Sequence, residues 1–286
     1  MTAIRARRLA AAFAGMLVAS PVSSAAQQAE PGRSITGQAG ASINNPGVQT
    51  TLEVSWLRPL SSSTHPLLSG AHVAAGAIHT LTPAQTRVGG WVQYAPLSIV
   101  EIRAGVDPSV YFGTFNSLQG FDGYDEAFDS DARKGRAGAE PGFGLRTYVA
   151  PTLKMRAGPF VASAGAELEW WRASAEREFF YEPTRDTLLK SGGDRIIRTT
   201  AVVMYRRALD SGSLAIGPIH TTSRVPDARH NDVRKAGVLA VREYDGRRFG
   251  LPRPKLTLMA GRYLADPSKD GQWTAAVAIG FTAKRR

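Results

Sequence analysis

Bulky apolar residues alternate with small or polar ones along much of this chain. In 272–283 (QWTAAVAIGFTA), Trp273, Ala275, Val277, Ile279 and Phe281 fall on one face, opposite Gln272, Thr274, Ala276, Ala278, Gly280 and Thr282. A repeat of two is that of a β-strand, because successive side chains leave a pleated backbone on opposite sides. Residues 98–113 repeat it, with Val100, Ile102, Ala104, Val106, Pro108, Val110 and Phe112 against Glu101, Arg103, Asp107, Ser109 and Tyr111. Such a run exceeds the roughly five or six residues usual in soluble sheets and suits a tilted strand that crosses a membrane.

The alternation recurs at 48–60 (Leu52, Val54 and Trp56 against Glu53 and Ser55) and at 86–96 (Val88, Val92 and Tyr94 against Arg87 and Gln93). In 159–172, Ala162, Ala164, Ala166, Leu168 and Trp170 oppose Ser163, Gly165, Glu167 and Glu169. Less regular candidates lie at 34–44, 70–80, 141–157, 193–207, 212–224, 233–245 and 255–264. Together they predict about twelve strands, within a range of about 10–14, and an even number suits a single-chain barrel with both termini on one side. Tight turns near 96–97, 158–159 and 210–212 alternate with longer polar connections at 114–140, 173–192 and 225–232, as short turns and long loops do at the two ends of such a barrel. The connection 61–69 is long for its place in that scheme. Trp91, Trp170, Trp171, Tyr94, Tyr205 and Tyr263 are candidates for interfacial aromatic girdles.

The N-terminus departs from this pattern. Arg5, Arg7 and Arg8 precede an uncharged apolar run from Leu9 to Ala19, then Pro21 and the small residues Ser23, Ser24, Ala25 and Ala26. That order is the layout of a secretory signal peptide over 1–26, too short to span a bilayer core of about 30 Å. The expected organisation is therefore a leader at 1–26 and one β domain over 27–286. No cysteine is present, so neither a disulfide nor a lipid-anchoring cysteine can form.

The C-terminal strand resembles the closing strand of bacterial outer-membrane β-barrels, in which a late aromatic is read by the assembly machinery. That resemblance makes Trp273 and Phe281 the candidate assembly signal, although TAKRR follows from 282 to the end. On architecture, most of the mature length resembles porin-like or small-channel proteins of the outer membrane. The resemblance implies passive passage of small solutes or a structural envelope role, with no cofactor. It also implies contact with outer-membrane lipids and lipopolysaccharide.

Charge refines this picture. The formal charge is +11, and removing the three leader arginines leaves +8, a surplus that suits an anionic partner such as lipopolysaccharide phosphate or an anionic solute. Nucleic acid is not expected, given the export signal and the lack of a basic run interleaved with aromatics. The strand registers place Glu101, Arg103, Asp107, Arg146, Glu167, Glu169, Arg198 and Arg206 toward the lumen. There they either pair across a plugged interior or line a water-filled path.

Other chemistry is sparse. The histidines at 65, 72, 79, 220 and 230 form no tight metal motif, and His72 and His79, seven apart, fall on opposite strand faces. His220 with Ser223 is the one candidate catalytic pair, of the kind a lipid A deacylase or phospholipase would need. Asp122, Asp125, Asp129 and Asp131 are weak metal candidates in a loop that lacks the order and closing glutamate of a calcium loop. Loop 173–192 carries Phe179, Phe180 and Tyr181, either as a packed anchor, as a constriction folded inward or as a contact for a ligand. Besides the channel, an outer-membrane lipid-modifying hydrolase and a soluble periplasmic β-sandwich binder remain open on sequence.

Overall fold

In a computed structural model, residues 29–285 are described except 45, 135, 137, 229 and 230. The leader at 1–26 and His230 lie outside the described residues. Twelve strands close into one antiparallel barrel. They are β1 (Gly32–Ile43), β2 (Gly47–Pro59), β3 (His72–Leu81), β4 (Gln85–Leu97), β5 (Val100–Phe112), β6 (Pro141–Ala157), β7 (Phe160–Ala173), β8 (Asp194–Leu209), β9 (Gly212–Arg224), β10 (Val233–Tyr244), β11 (Lys255–Ala265) and β12 (Trp273–Arg285). Each pairs with its neighbour in sequence, and β1 joins β12 from Arg33↔Arg285 to Ile43↔Ala275, leaving no free edge. Closure matters in lipid, because an unpaired strand edge would leave backbone donors and acceptors without water. All twelve segments marked by alternation are barrel strands.

The outer wall is apolar. Leu52, Val88, Val92, Val106, Leu153, Val203, Ile216, Val238, Leu258 and Val277 are all exposed on the outside. In water this would be an aggregating surface; against hydrocarbon it is the stable arrangement. Near the turn end the belt is edged by Trp56, Tyr94, Phe160 and Tyr205, the last two edge-to-face with centroids 5.7 Å apart. Phe281 lies over the seam with β1, where a Cβ on Gly37 would sit 2.2 Å from its ring. Trp273 projects from the same wall at the loop end.

The girdle expectation holds for only half its members. Trp170 is 42% exposed and Trp171 only 1%; adjacent residues on a strand must face opposite ways. Trp91, Trp171 and Tyr263 point inward, where each has a cationic or carboxylate partner. Trp91 also needs Gly76 opposite, since a Cβ there would lie 2.6 Å from the indole ring.

The two ends differ. At one end β4–β5, β6–β7 and β8–β9 are joined by two residues each, with Gly158 at φ 56° in the middle turn. The longer connections 60–71 and 245–254 share that end; 60–71 is held by hydrogen bonds such as Leu60 N to Ala71 O at 2.9 Å. At the other end, connections 113–140 and 174–193 form a second small sheet, in which Phe179–Glu182 pairs with both Thr187–Lys190 and Gly120–Phe121. A short helix, Ser130–Lys134, packs beside it.

Candidate functional site

In the lumen, charged side chains of both signs converge from many strands. All eight residues read as lumen-lining lie on the inner face. On β5 and β6, Asp107 and Arg146 are register partners, and Arg146 Nη1 donates to Asp107 Oδ2 at 2.5 Å. Arg146 also pairs with Glu167, and its Nε lies 3.3 Å from Glu169 Oε2. Arg198 Nη1 reaches Glu167 at 3.4 Å and Glu169 at 3.5 Å. Nearer the turn end, Lys154 donates to Glu101 at 2.6 Å and Arg206 to Glu243 at 3.0 Å. Arg103 donates to Glu53 at 2.7 Å while stacking 3.7 Å from the Trp91 ring centroid. Alternation explains the whole set: a charged group on every second residue of neighbouring strands gives ladders of cross-strand and diagonal pairs.

Loop 173–192, expected as a packed anchor, an inward constriction or a ligand contact, closes this ladder; its hairpin form and the role of Arg185 had no signal in the sequence pattern. Phe179–Glu182 and Thr187–Lys190 form a hairpin whose tip, residues 183–186, enters the barrel from the loop end. Arg185 is the arginine it delivers, donating from Nε and Nη2 to the two oxygens of Glu169 at 3.0 and 2.8 Å. Glu169 is fully buried and also accepts from Trp171 Nε1 at 2.6 Å. Glu182 accepts from Gln85 of β4 and Tyr111 of β5, and Thr184 folds back to it at 2.8 Å. Asp186 accepts from Tyr181 at 2.6 Å and from Lys269 of the β11–β12 connection at 2.5 Å, with Arg133 at 3.7 Å. The hairpin base is anchored by apolar packing: Phe180 and Leu189 cluster with Leu118 and Val225 from other loops and with Tyr111, Trp171 and Ile196 of the wall.

Burial acts in the same direction on Glu182 and Asp186, which flank and end the tip, but their partners give opposite outcomes. It pushes Glu182 above its ordinary value, against the opposing pull of Arg185, Thr184 and Arg87. At Asp186 burial also works upward, but the Lys269 ammonium, the Tyr181 hydroxyl and Arg133 outweigh it and hold the group below its ordinary value. The tip thus carries one carboxylate that burial disfavours as an anion and one latched as an anion.

Beneath the hairpin lies a cavity of about 260 Å³. It extends from Thr80 and Arg87 under the tip to Arg206, Ser213 and Glu243 beside the short turns. Eight arginine and lysine side chains line it against four carboxylates, Glu53, Asp107, Glu167 and Glu243. The wall toward β7–β11 is apolar near the turn end, where Val161, Val202, Met204, Ala215, Ile219 and Leu239 cluster.

The candidate catalytic pair is not assembled. His220 is exposed on the outer face, whereas Ser223, an odd number of residues away on β9, falls on the other face, pairing in register with Arg198 and Val233. The four aspartates do not gather into a metal site either. Asp122 pairs with Arg177, Asp131 with Lys134 at 2.6 Å, and Asp129 caps the short helix through the amides of Asp131 and Ala132 at 2.9 Å. That cap holds the Asp129 carboxyl below its ordinary range, led by the Ala132 amide bond. Among the described residues no group of three or more histidines or acids stands where it could hold a metal.

No protein-family model matches the chain, and no curated protein matches it in sequence. Among solved structures it is similar to the β domain of the Bordetella autotransporter BrkA, at 14% identity over 88% of this chain and 99% of that one, with a TM-score of 0.50. NanC porin matches at 9% identity over 88% and 100%, TM-score 0.44, and the translocator domain of the autotransporter NalP from Neisseria meningitidis at 10% over 93% and 92%, TM-score 0.40. The first of these likenesses shows a shared fold, the bacterial outer-membrane β-barrel.

Proposed function

We propose that this protein is a small passive channel of the bacterial outer membrane, in which the 179–190 hairpin governs passage at the loop end. The observation that carries this reading is the charged cavity inside a lipid-compatible wall. A lumen plugged by salt bridges would leave no room between its pairs, whereas about 260 Å³ remains open among these. Charges are instead arranged along a path and leave space between them, as a route for polar solutes requires.

The sign of the path is basic at its surface. Glu101 and Glu169 pair with lysine and arginine from outside the cavity lining, so a solute in the lumen meets guanidinium and ammonium groups first. Low-dielectric walls focus such a field, which favours small anions. The hydrolase alternative loses its candidate pair to the geometry of β9, and the soluble sandwich alternative leaves the apolar outer wall unexplained. Lipids contact the belt in this reading, and the assembly machinery reads the β12 aromatics Trp273 and Phe281.

The test is purification from membranes followed by planar-bilayer recording under a salt gradient. The expected result is a gel band that shifts on boiling, discrete conductance steps, and a reversal potential on the anion-selective side. A heat-shifted barrel without conductance would sink the channel while leaving the fold untouched.

A further inference from the structure

The outer wall carries a feature that neither the fold nor a channel requires. Five arginines, Arg172 of β7, Arg195 of β8, Arg224 of β9, Arg234 of β10 and Arg262 of β11, are exposed at its loop end. Their registers link them in a row. Arg195 stands opposite Trp170, two residues below Arg172, and Arg224 opposite Ile197, two below Arg195. Arg234 stands opposite Thr222, and Arg262 opposite Ala236, each again two residues nearer the turn end. Consecutive members are therefore diagonal cross-strand neighbours, with Cβ atoms roughly 7–8 Å apart. Register around the barrel rises from β1 toward β12, so a row stepping down at each strand runs close to level.

The row is confined to one side. At the same level β12, β1, β2, β3, β5 and β6 present Trp273, Ile43, Val48, Leu81, Val110 and Leu145, all exposed and uncharged. Within the row, Arg195 is 3.9 Å from Asp227 on the neighbouring loop, and Arg262 Nε donates to Gly271 O at 2.5 Å. Among the described residues Arg172, Arg224 and Arg234 make no ion pair. A one-sided line of guanidinium groups at the upper edge of an apolar belt lies where outer-leaflet headgroups would sit. Guanidinium forks bind phosphate oxygens in pairs, and a row offers several such forks to one multiply phosphorylated headgroup.

We infer that the outer face of β7–β11 binds the phosphorylated headgroup of lipopolysaccharide through Arg172, Arg195, Arg224, Arg234 and Arg262. This rests on the outer-membrane reading above and adds a specific lipid site to it. Arginines holding the lipid A phosphates do there what divalent cations do between neighbouring lipid molecules. Beneath Arg224 and Arg234 the wall carries Thr222 and His220 and then Pro218, Ala236 and Val238, the last three of which would lie against the acyl chains.

The test is native mass spectrometry of the full chain in detergent with bisphosphorylated lipid A, dephosphorylated lipid A or inorganic phosphate added. The variant R172Q/R195Q/R224Q/R234Q/R262Q is compared with the turn-end control R33Q/R58Q/R207Q. Bisphosphorylated lipid A should bind the row variant at least about tenfold more weakly than wild type, with the control close to wild type. Dephosphorylated lipid A should bind all three proteins alike, and millimolar inorganic phosphate should not displace lipid A. Equal loss in the control, an unaffected row variant, or displacement by inorganic phosphate would each overturn it. If the fivefold variant does not fold, R224Q/R234Q is read instead, and a smaller loss of the same kind is required. A gel shift on boiling separates the two levels: no shift in wild type removes the membrane reading itself, whereas a shift with unchanged lipid A binding removes only this site.

Discussion

The two ends of the barrel are made from the same strands yet are filled by different physics. Near the turn end one side of the lumen wall carries Val161, Val202, Met204 and Leu239, held by non-directional apolar packing, beside the separate two-membered pairs Lys154–Glu101 and Arg206–Glu243. At the loop end it carries Asp107, Arg146, Glu169 and Arg198, completed by Arg185 from a loop. Apolar contacts tolerate small shifts, whereas buried ion pairs lose most of their value when one partner leaves. The loop end is therefore the part of the interior whose filling depends on a few directional contacts, with a packed base and a charged tip.

That contrast can be broken most severely at Glu169. Glu169→Leu leaves Arg185, Arg146 and Arg198 without their shared carboxylate and should destabilise the barrel by about 3–5 kcal/mol. The temperature at which the gel band shifts reads this directly. At the turn end, Leu239→Ala should cost about 2–3 kcal/mol by cavity formation, with no change in the pH response of conductance. If the two variants behave alike in both readouts, the ends are not distinct.

Acidification tests the tip with a sign fixed for each carboxylate. Glu182 is raised above 4.5, so it protonates first as pH falls, and removing its buried charge tightens the closed hairpin. Asp186 is held below 3.8, so its latch to Lys269 contributes stability above that pH and loses it as pH falls through the lower folded value. Conductance should therefore hold steady or drop on approach to pH 4.5 and rise only below 3.8. Asp186→Asn should show the risen level already at neutral pH and no further rise in acid. A smooth increase through both ranges in wild type would contradict the assignment. The smallest effect belongs to Lys255, which lines the cavity near the turn end. Lys255→Glu should move the reversal potential slightly toward cations without altering the hairpin.

The twelve strands were legible because each has one face toward an apolar surround and one toward a polar lumen, the condition under which alternation is strongest. The same logic places Glu101, Arg103 and the other charges inside. It fails where a segment is buried on both faces: Phe179–Glu182 and Thr187–Lys190 show no alternation because loop residues cover one side and the wall the other. Inward Trp91, Trp171 and Tyr263 run against the usual place of aromatics in barrels, and only their parity with Arg87, Glu169 and Gly261 marks them. Parity also separates His220 from Ser223. The partner of Glu169 could not be read from its own strand, since Arg185 arrives from a connection with no fixed register.

The most direct measurement is single-channel conductance of the wild-type chain beside one in which 179–190 is replaced by a short glycine-serine link. Removing the hairpin should raise conductance several-fold, with anion preference retained because Arg103, Lys154 and Arg206 remain on the wall. Equal conductance in the two proteins, or none in either, would contradict a lumen governed by that hairpin.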